Sequence, residues 1–511
     1  MKRMTLYQVK SLRLSAIVMA LLMYSIFILG CSIHRSRIIV SEKSRVIVLT
    51  DMLNEADDSQ TMVHLLMYAN KMDIEGLIAV SSCHQYAGKN DPIEARNNVH
   101  PGEIVKMINA YGRVGDNLTL HEKEWPTVEY LLSVVGSGPA GYGMSAVGGG
   151  KTTSGSQLIM DAVLKNDPRP LYICINAGAN CLAQALFDLS SRMDRIKLNV
   201  LLAKVRVYDD AGQDDAGAWI AKHFPVIRYQ RSQSQVFNFM NGRGPVTWDK
   251  AEYAGWGQYL WAKQNIQTGH GPLGELYPTR MQWKRPDLYH TLEGGGTSTW
   301  IGHVNQGLYV PEQITWGGWG GRFAREKSEN VLADQLKSAD LVETENPHKP
   351  FYMYPEAKDK WTDPETDIEY NEAGTPIYRW RRAYQNDFQA RMDWCVMPFE
   401  QANHNPVAVF NGDITDGVVY YSVYAGDLIP LDASASYDPD GDNLLYRWFV
   451  YPEAGDYSGD VNIEKENLAA AKIIIPADAS GRQIHLILEV RDQNNIVSLY
   501  DYRRIVFRVE N

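Results

Sequence analysis

Four carboxylic acids crowd one turn near the start of the chain. In the stretch RVIVLTDMLNEADDSQTMVHLL, residues 45 to 66, an apolar run closes at Asp51, and a helical pattern takes over around Glu55, Asp57 and Asp58. A turn at the carboxyl end of a β-strand converges its side chains on one place, where like charges repel unless a cation or a proton compensates them. A single Asp would serve as helix cap, because carboxylates are favoured at the positive end of a helix. Four acids around one turn, one of them strand-terminal, predict a hard-cation site with oxygen ligands, Ca²⁺ ahead of Mg²⁺.

The elements that must hold this turn are legible on both sides of it. RVIVLTD, DIEGLIAVSS, RPLYICINAG and LNVLLAKVRVYDD are near-continuous apolar runs, each followed by a helix-like stretch. Such runs suit strands buried on both faces, and strand-helix alternation predicts an α/β fold with a mostly parallel sheet flanked by helices. Ligands of such sheets sit beyond the carboxyl ends of the strands. Those ends read Asp51, SSCHQ, NAGAN and YDDAGQDD. The charged, Pro-containing stretch after residue 345 leads into YRWRRAYQNDFQARMDWCV, whose helical spacing and aromatic faces predict packing back onto the first domain. From ANHNPVA onward, apolar and polar residues alternate between Gly, Asp and Pro turns, which predicts a small immunoglobulin-like β-sandwich.

Composition sets the setting. Lys2, Arg3, Lys10 and Arg13 precede an apolar run from Ala16 to Leu29, the order of a secretory signal, and the run is short for a membrane span. Its ending, ILGC, resembles the bacterial lipobox and implies lipidation of Cys31. The expected organisation is a lipoprotein signal peptide over 1–30, a tether over 31–43, the α/β domain over 44–402 and the sandwich over 403–511. The folded part is then extracytoplasmic, held to the cell envelope by its lipid. A net charge of −11 with 29 Tyr and 13 Trp argues against nucleic acid and suits neutral polar ligands that stack on rings. Cys83, Cys174, Cys181 and Cys395 lack metal-ligand spacing and form no dense disulfide framework.

Strand, Asp-containing turn ending in Asp-Asp, then helix resembles the amino-terminal signature of nucleoside hydrolases. The fuller string LTDMLNEADD, followed in order by YGMSAVGGGKTTSGSQLI, NAGANCLAQAL, VRVYDDAGQDDAGAWI, GPLGELYP and WGGWGGRF, is similar to a secreted, nucleoside hydrolase-like branch once labelled cellulose-binding. That resemblance implies hydrolysis of an N- or O-glycosidic bond of a furanosyl-type sugar with the help of Ca²⁺, or non-catalytic binding of a cellulose-like glycan. It implies that Asp58 chelates Ca²⁺, that Asp57 faces sugar hydroxyls and that Asp51 is the first Asp of the motif. Nucleoside hydrolases keep a metal-binding base two residues after that first Asp, and this chain has Leu53 there. Asp51 at the metal and Glu55 as base are the two substitutes that remain.

The same resemblance assigns a metal-completing backbone carbonyl to Asn180 and sugar contacts to Asp209, Asp214 and Asp215. Asn176 and Asn180 are also natural caps of the helix that follows them. The family's late metal-binding Asp falls near LEGGGTSTWIG, where Glu293 and three glycines stand. Trp316 and Trp319, set among glycines, either expose indole faces for sugar stacking or pack tightly in a core. In the last domain, Asp438, Asp440 and Asp442 are spaced as in calcium loops but lack the closing Glu, so an Asx-capped turn is expected.

Overall fold

A computed structural model describes residues 36–40, 42–53, 56–83, 99–236, 259–278, 280–281, 285–289, 294–304, 306–308, 310–331 and 345–511. The signal segment with Cys31, and the acids Glu55 and Glu293, lie outside the described residues.

The first domain is built on an eight-stranded sheet in the order Ser328–Glu329, Tyr352–Pro355, Arg228–Ser232, Val205–Asp210, Leu171–Ile175, Arg45–Thr50, Asp73–Ala79, Val135–Ser137. Neighbours run parallel, except that Ser328–Glu329 pairs antiparallel with Tyr352–Pro355 at one edge. Arg45–Thr50 is buried along its whole length, as its apolar run requires. The two-residue period divides its contacts. Val46 and Val48 join one core with Met62, Leu66, Trp300 and Phe388, while Ile47 and Leu49 join the opposite one with Ile159, Leu182 and Leu186.

The chain first builds outward from Arg45–Thr50 to Asp73–Ala79 and Val135–Ser137, then crosses back to start the other half at Leu171–Ile175. The strand order therefore reverses between Arg45–Thr50 and Leu171–Ile175, the place where open α/β sheets form a ligand crevice. Asp51 and Asn176 are the residues that follow these two strands.

The expected return of the later segment holds. Tyr352–Pro355 adds to the large sheet, and the helix Arg381–Asp393 buries Tyr384 and Phe388 in the first core. Phe388 stacks on His64 with ring centroids 3.7 Å apart.

Beyond it stands a sandwich of a five-stranded and a three-stranded sheet, closed over Trp448, Leu431, Ile473, Leu488 and Phe507. Two features differ from a simple antiparallel sandwich. Val418–Tyr424 runs parallel to Tyr500–Glu510. The outer strand beside Val418–Tyr424 is Ser36–Ile39, from the segment expected to be a tether, paired antiparallel through Ser36 with Tyr421 and Ile39 with Val418. Four exposed residues gain a place because the sheet edge supplies unpaired backbone groups. The Asp438 turn is the expected Asx type: Asp438 Oδ1 accepts from the backbone N–H of Asp440 at 2.8 Å and of Asp442 at 3.1 Å.

Candidate functional site

The acidic turn is buried at the crevice. Asp51 is 4% exposed and Asp58 7%. Thr50 Oγ1 donates to Asp58 Oδ1, and the backbone N–H of Asp51 donates to the same oxygen at 3.3 Å. Ser82, at the end of the neighbouring strand, donates its hydroxyl to Asp51 Oδ2. Burial, then the charges of Asp51 and Asp57, push the Asp58 carboxyl well above the usual carboxylate range. Leu53 takes φ +71°, a left-handed conformation that costs an ordinary residue about 1–2 kcal/mol.

The glycine-rich segment after Glu293 closes over this turn. A Cβ on Gly294 would fall 1.9 Å from Thr61 Oγ1 and 2.1 Å from the Asp57 carbonyl oxygen, and one on Gly296 would fall 2.2 Å from Asn176 Cγ. Only glycine permits that approach, and the close neighbour is the protein itself. The contact continues through Thr61 and Thr297, whose hydroxyls lie 3.2 Å apart.

Asn176 stands beside the acidic pair on the adjoining strand. Its N–H donates to Leu49 O at 2.8 Å, and its side-chain oxygen accepts from Thr299 Oγ1 at 2.7 Å. Its Nδ2 is buried without a hydrogen-bond partner among the described residues. An N–H donor out of water and unmatched is expensive unless a ligand takes it up.

Asn180 serves the scaffold. It opens the helix Asn180–Arg192, and its Nδ2 donates to Gly141 O at 2.8 Å and Ser81 Oγ at 3.2 Å.

The run of Asp209, Asp214 and Asp215 is likewise turned inward. Asp209 Oδ2 accepts from Arg231 Nε at 2.9 Å and from the Tyr229 hydroxyl at 2.8 Å, and its Oδ1 from Gly212 N at 3.1 Å. Asp214 accepts from Asn180 N and Ala216 N, both at 3.0 Å; burial, with Asp215 nearby, pushes its carboxyl up to about 7. Asp215 accepts from Met144 N at 2.8 Å and pairs with His348 at 3.1 Å. These oxygens order the strand ends instead of offering themselves to a sugar. Arg231 and Ser82, which sequence reasoning missed, carry no local motif that would have revealed them.

Of the two readings of the tryptophans, core packing holds and sugar stacking is overturned. Trp316 is 6% exposed and Trp319 3%, so neither presents an indole face to solvent. Trp316 lies between the domains, edge-on to His485 at 4.6 Å with the Arg504 guanidinium 5.7 Å from its ring. The glycines serve packing: a Cβ on Gly317 would fall 2.3 Å from the Tyr451 hydroxyl oxygen.

Among the described residues no group of three or more His, Cys, Asp or Glu side chains is arranged to hold a metal ion. The donor chemistry of Asp51 and Asp58 nonetheless suits a hard cation, since two carboxylates out of water reinforce each other's negative charge and a divalent ion would relieve it. Cys83, Cys174, Cys181 and Cys395 are free and buried.

Comparison with known proteins gives this geometry a context. Residues 45–323 match the model of a family described as cellulose-binding Sde182, nucleoside hydrolase-like domain. Residues 428–509 match the C-terminal domain of cellulose-binding protein Sde0182. A solved structure, a nucleoside hydrolase-related hypothetical protein from Saccharophagus degradans associated with carbohydrate metabolism, is 36% identical. It aligns with a TM-score of 0.75 over 92% of this chain and 100% of its own. No curated protein matches.

Proposed function

Because this chain belongs to the Sde182 family of cellulose-binding proteins with a nucleoside hydrolase-like domain, we propose that its acidic turn is a carbohydrate-processing site that hydrolyses a glycosidic bond. The observation that carries this reading is the buried Asp51 and Asp58 pair at the strand-order reversal, with the Asp58 carboxyl raised. Perturbed carboxyls in a crevice are the chemistry that acid–base catalysis needs.

Asp51 and Asp58 would hold Ca²⁺. When bound, the ion supplies positive charge that anchors vicinal sugar hydroxyls and makes a nearby water more acidic. Asn176 Nδ2 donates to a sugar hydroxyl, which supplies the partner that the fold withholds. Asp57, in the first turn of the helix Ala56–Leu66, adds negative charge beside the pair and favours a sugar ring that becomes cationic in the transition state. Glu55 or Asp51 takes the proton of the attacking water. The substrate is a furanosyl-type sugar, N- or O-linked, met outside the cytoplasm by a protein tethered through lipidated Cys31.

Leu53 favours a second reading, binding of a glycan without cleavage, because the family position of the base holds no ionisable group. A panel of nucleosides, aryl furanosides and glycan oligosaccharides tests the two. Turnover by the wild-type protein that is lost in Asp58→Ala supports hydrolysis. Calcium-dependent binding with no turnover of any member overturns it in favour of the second reading.

A further inference from the structure

The five-stranded sheet turns one face to the sandwich core and the other to the α/β domain, and the second face is unusually charged. Across its register Arg447 stands opposite Glu489 and Glu489 opposite Tyr502; two residues along, Leu445 stands opposite Arg491 and Arg491 opposite Tyr500. Arg447 and Glu489 are joined by hydrogen bonds of 2.9 and 3.0 Å. The α/β domain meets this face with the hairpin around Trp361 and the helix carrying Arg382. Where the two surfaces part they leave a cleft of about 260 Å³, lined on one side by Trp361 and Arg382 and on the other by Arg447, Arg491 and Tyr500.

Every guanidinium on the cleft wall has a carboxylate. Arg382 meets both oxygens of Asp363 at 2.8 Å, Arg491 meets Glu365 at 2.9 Å, and Arg379 meets Asp359 at 3.2 Å. The lining holds four guanidiniums and two carboxylates, and the buried Asp359 and Asp363 behind it match the other two charges. An anion would find no unmatched cation there. A neutral polyol accepts from the guanidinium N–H groups and donates O–H to Glu365 and Glu489, the two carboxylates that line the cleft. Trp361 and Tyr500 add the aromatic surface that sugar C–H groups pack against.

We propose that this interdomain cleft is a second binding site, for one or two units of a neutral sugar, separate from the acidic turn. The choice of sugar rests on the carbohydrate reading above; the existence and charge balance of the cleft do not. Its volume lies just below the range of about 300–1,000 Å³ usual for small-molecule sites, which limits it to a short segment or chain end. None of its lining residues belongs to the acidic turn.

Calorimetry on the full chain with cellobiose as probe tests the assignment, alongside digalacturonate as an anionic probe. Trp361→Ala removes an aromatic wall, and Asn467→Trp, at an exposed position on the rim, plugs the mouth without touching the core. Wild type and Asp58→Ala should bind cellobiose alike, and both cleft variants should bind at least about tenfold more weakly. Unchanged binding in the rim variant, loss in Asp58→Ala, heat from digalacturonate alone, or no heat from cellobiose with the wild type would each overturn the cleft assignment. The hydrolysis panel reads the acidic turn separately, so either reading can fail without the other.

Discussion

Asp51 and Asp58 are seven residues apart in the chain, yet the backbone N–H of the first donates to a carboxylate oxygen of the second at 3.3 Å. The turn is thus closed on itself by the groups expected to do its chemistry. Calorimetry on chelator-stripped protein should show calcium uptake by the wild type and none by Asp58→Ala. Absence of uptake by the wild type would remove the metal from the mechanism.

The proposed hydrolysis needs a base, which Leu53 cannot supply. Glu55→Gln keeps size and hydrogen bonding while removing the basic oxygen, so it should preserve calcium and sugar binding and lower turnover at least ~100-fold. Equal turnover in wild type and variant would exclude Glu55 and leave Asp51.

Acid should loosen the contact between the first helices and Arg381–Asp393. Burial alone would raise the Glu122 carboxyl, but the guanidinium of Arg391 and the ammonium of Lys71 hold it at about 2. A folded pKa below the unfolded one means stability that is present above about 4.5 and lost as pH falls toward about 2. Glu122→Gln should therefore be less stable at neutral pH, by at most about 3 kcal/mol, and show a flatter acid limb in denaturant titrations.

Arg504 fastens the sandwich to the α/β domain, donating to Leu308 O at 2.7 Å and to Trp316 O and Gly317 O at 3.0 Å. Arg504→Met would strand these carbonyls at a cost of about 3 kcal/mol or more. Calorimetric unfolding should split from one transition toward two. A single transition at the wild-type temperature would show that other contacts carry the junction.

Cys31→Ser should release the protein from the membrane fraction of the cells that make it. Retention in that fraction would exclude a lipid on this residue.

How much of this was legible in the sequence depended on the range of the interactions. Periodicity is local, so the alternation of strands and helices and the buried run Arg45–Thr50 were readable, and so was the acidic turn, whose members are neighbours. The fate of Asp209 and Asp215 was not, because their partners lie 22 residues away at Arg231 and 133 residues away at His348. Taken alone, such a run reads as a solvated loop or as ligand contacts. Sugar stacking by Trp316 and Trp319 fails for a related reason: glycines beside an indole leave room equally for a sugar and for another side chain, and only the fold shows that Tyr451 and Arg504 fill it at Trp316 and Tyr384 at Trp319.

The pairing of Ser36–Ile39 with Val418–Tyr424 has a consequence for synthesis. A ribosome delivers this strand before any of the α/β domain, and its partner only after that domain is complete. The early strand must wait through the making of an entire parallel sheet before its edge exists, a sequence separation that slows closure and leaves an exposed strand available to other chains meanwhile. Chains that end before residue 418 should therefore bind holdase chaperones through residues 36–39, and full-length chains should let go of them.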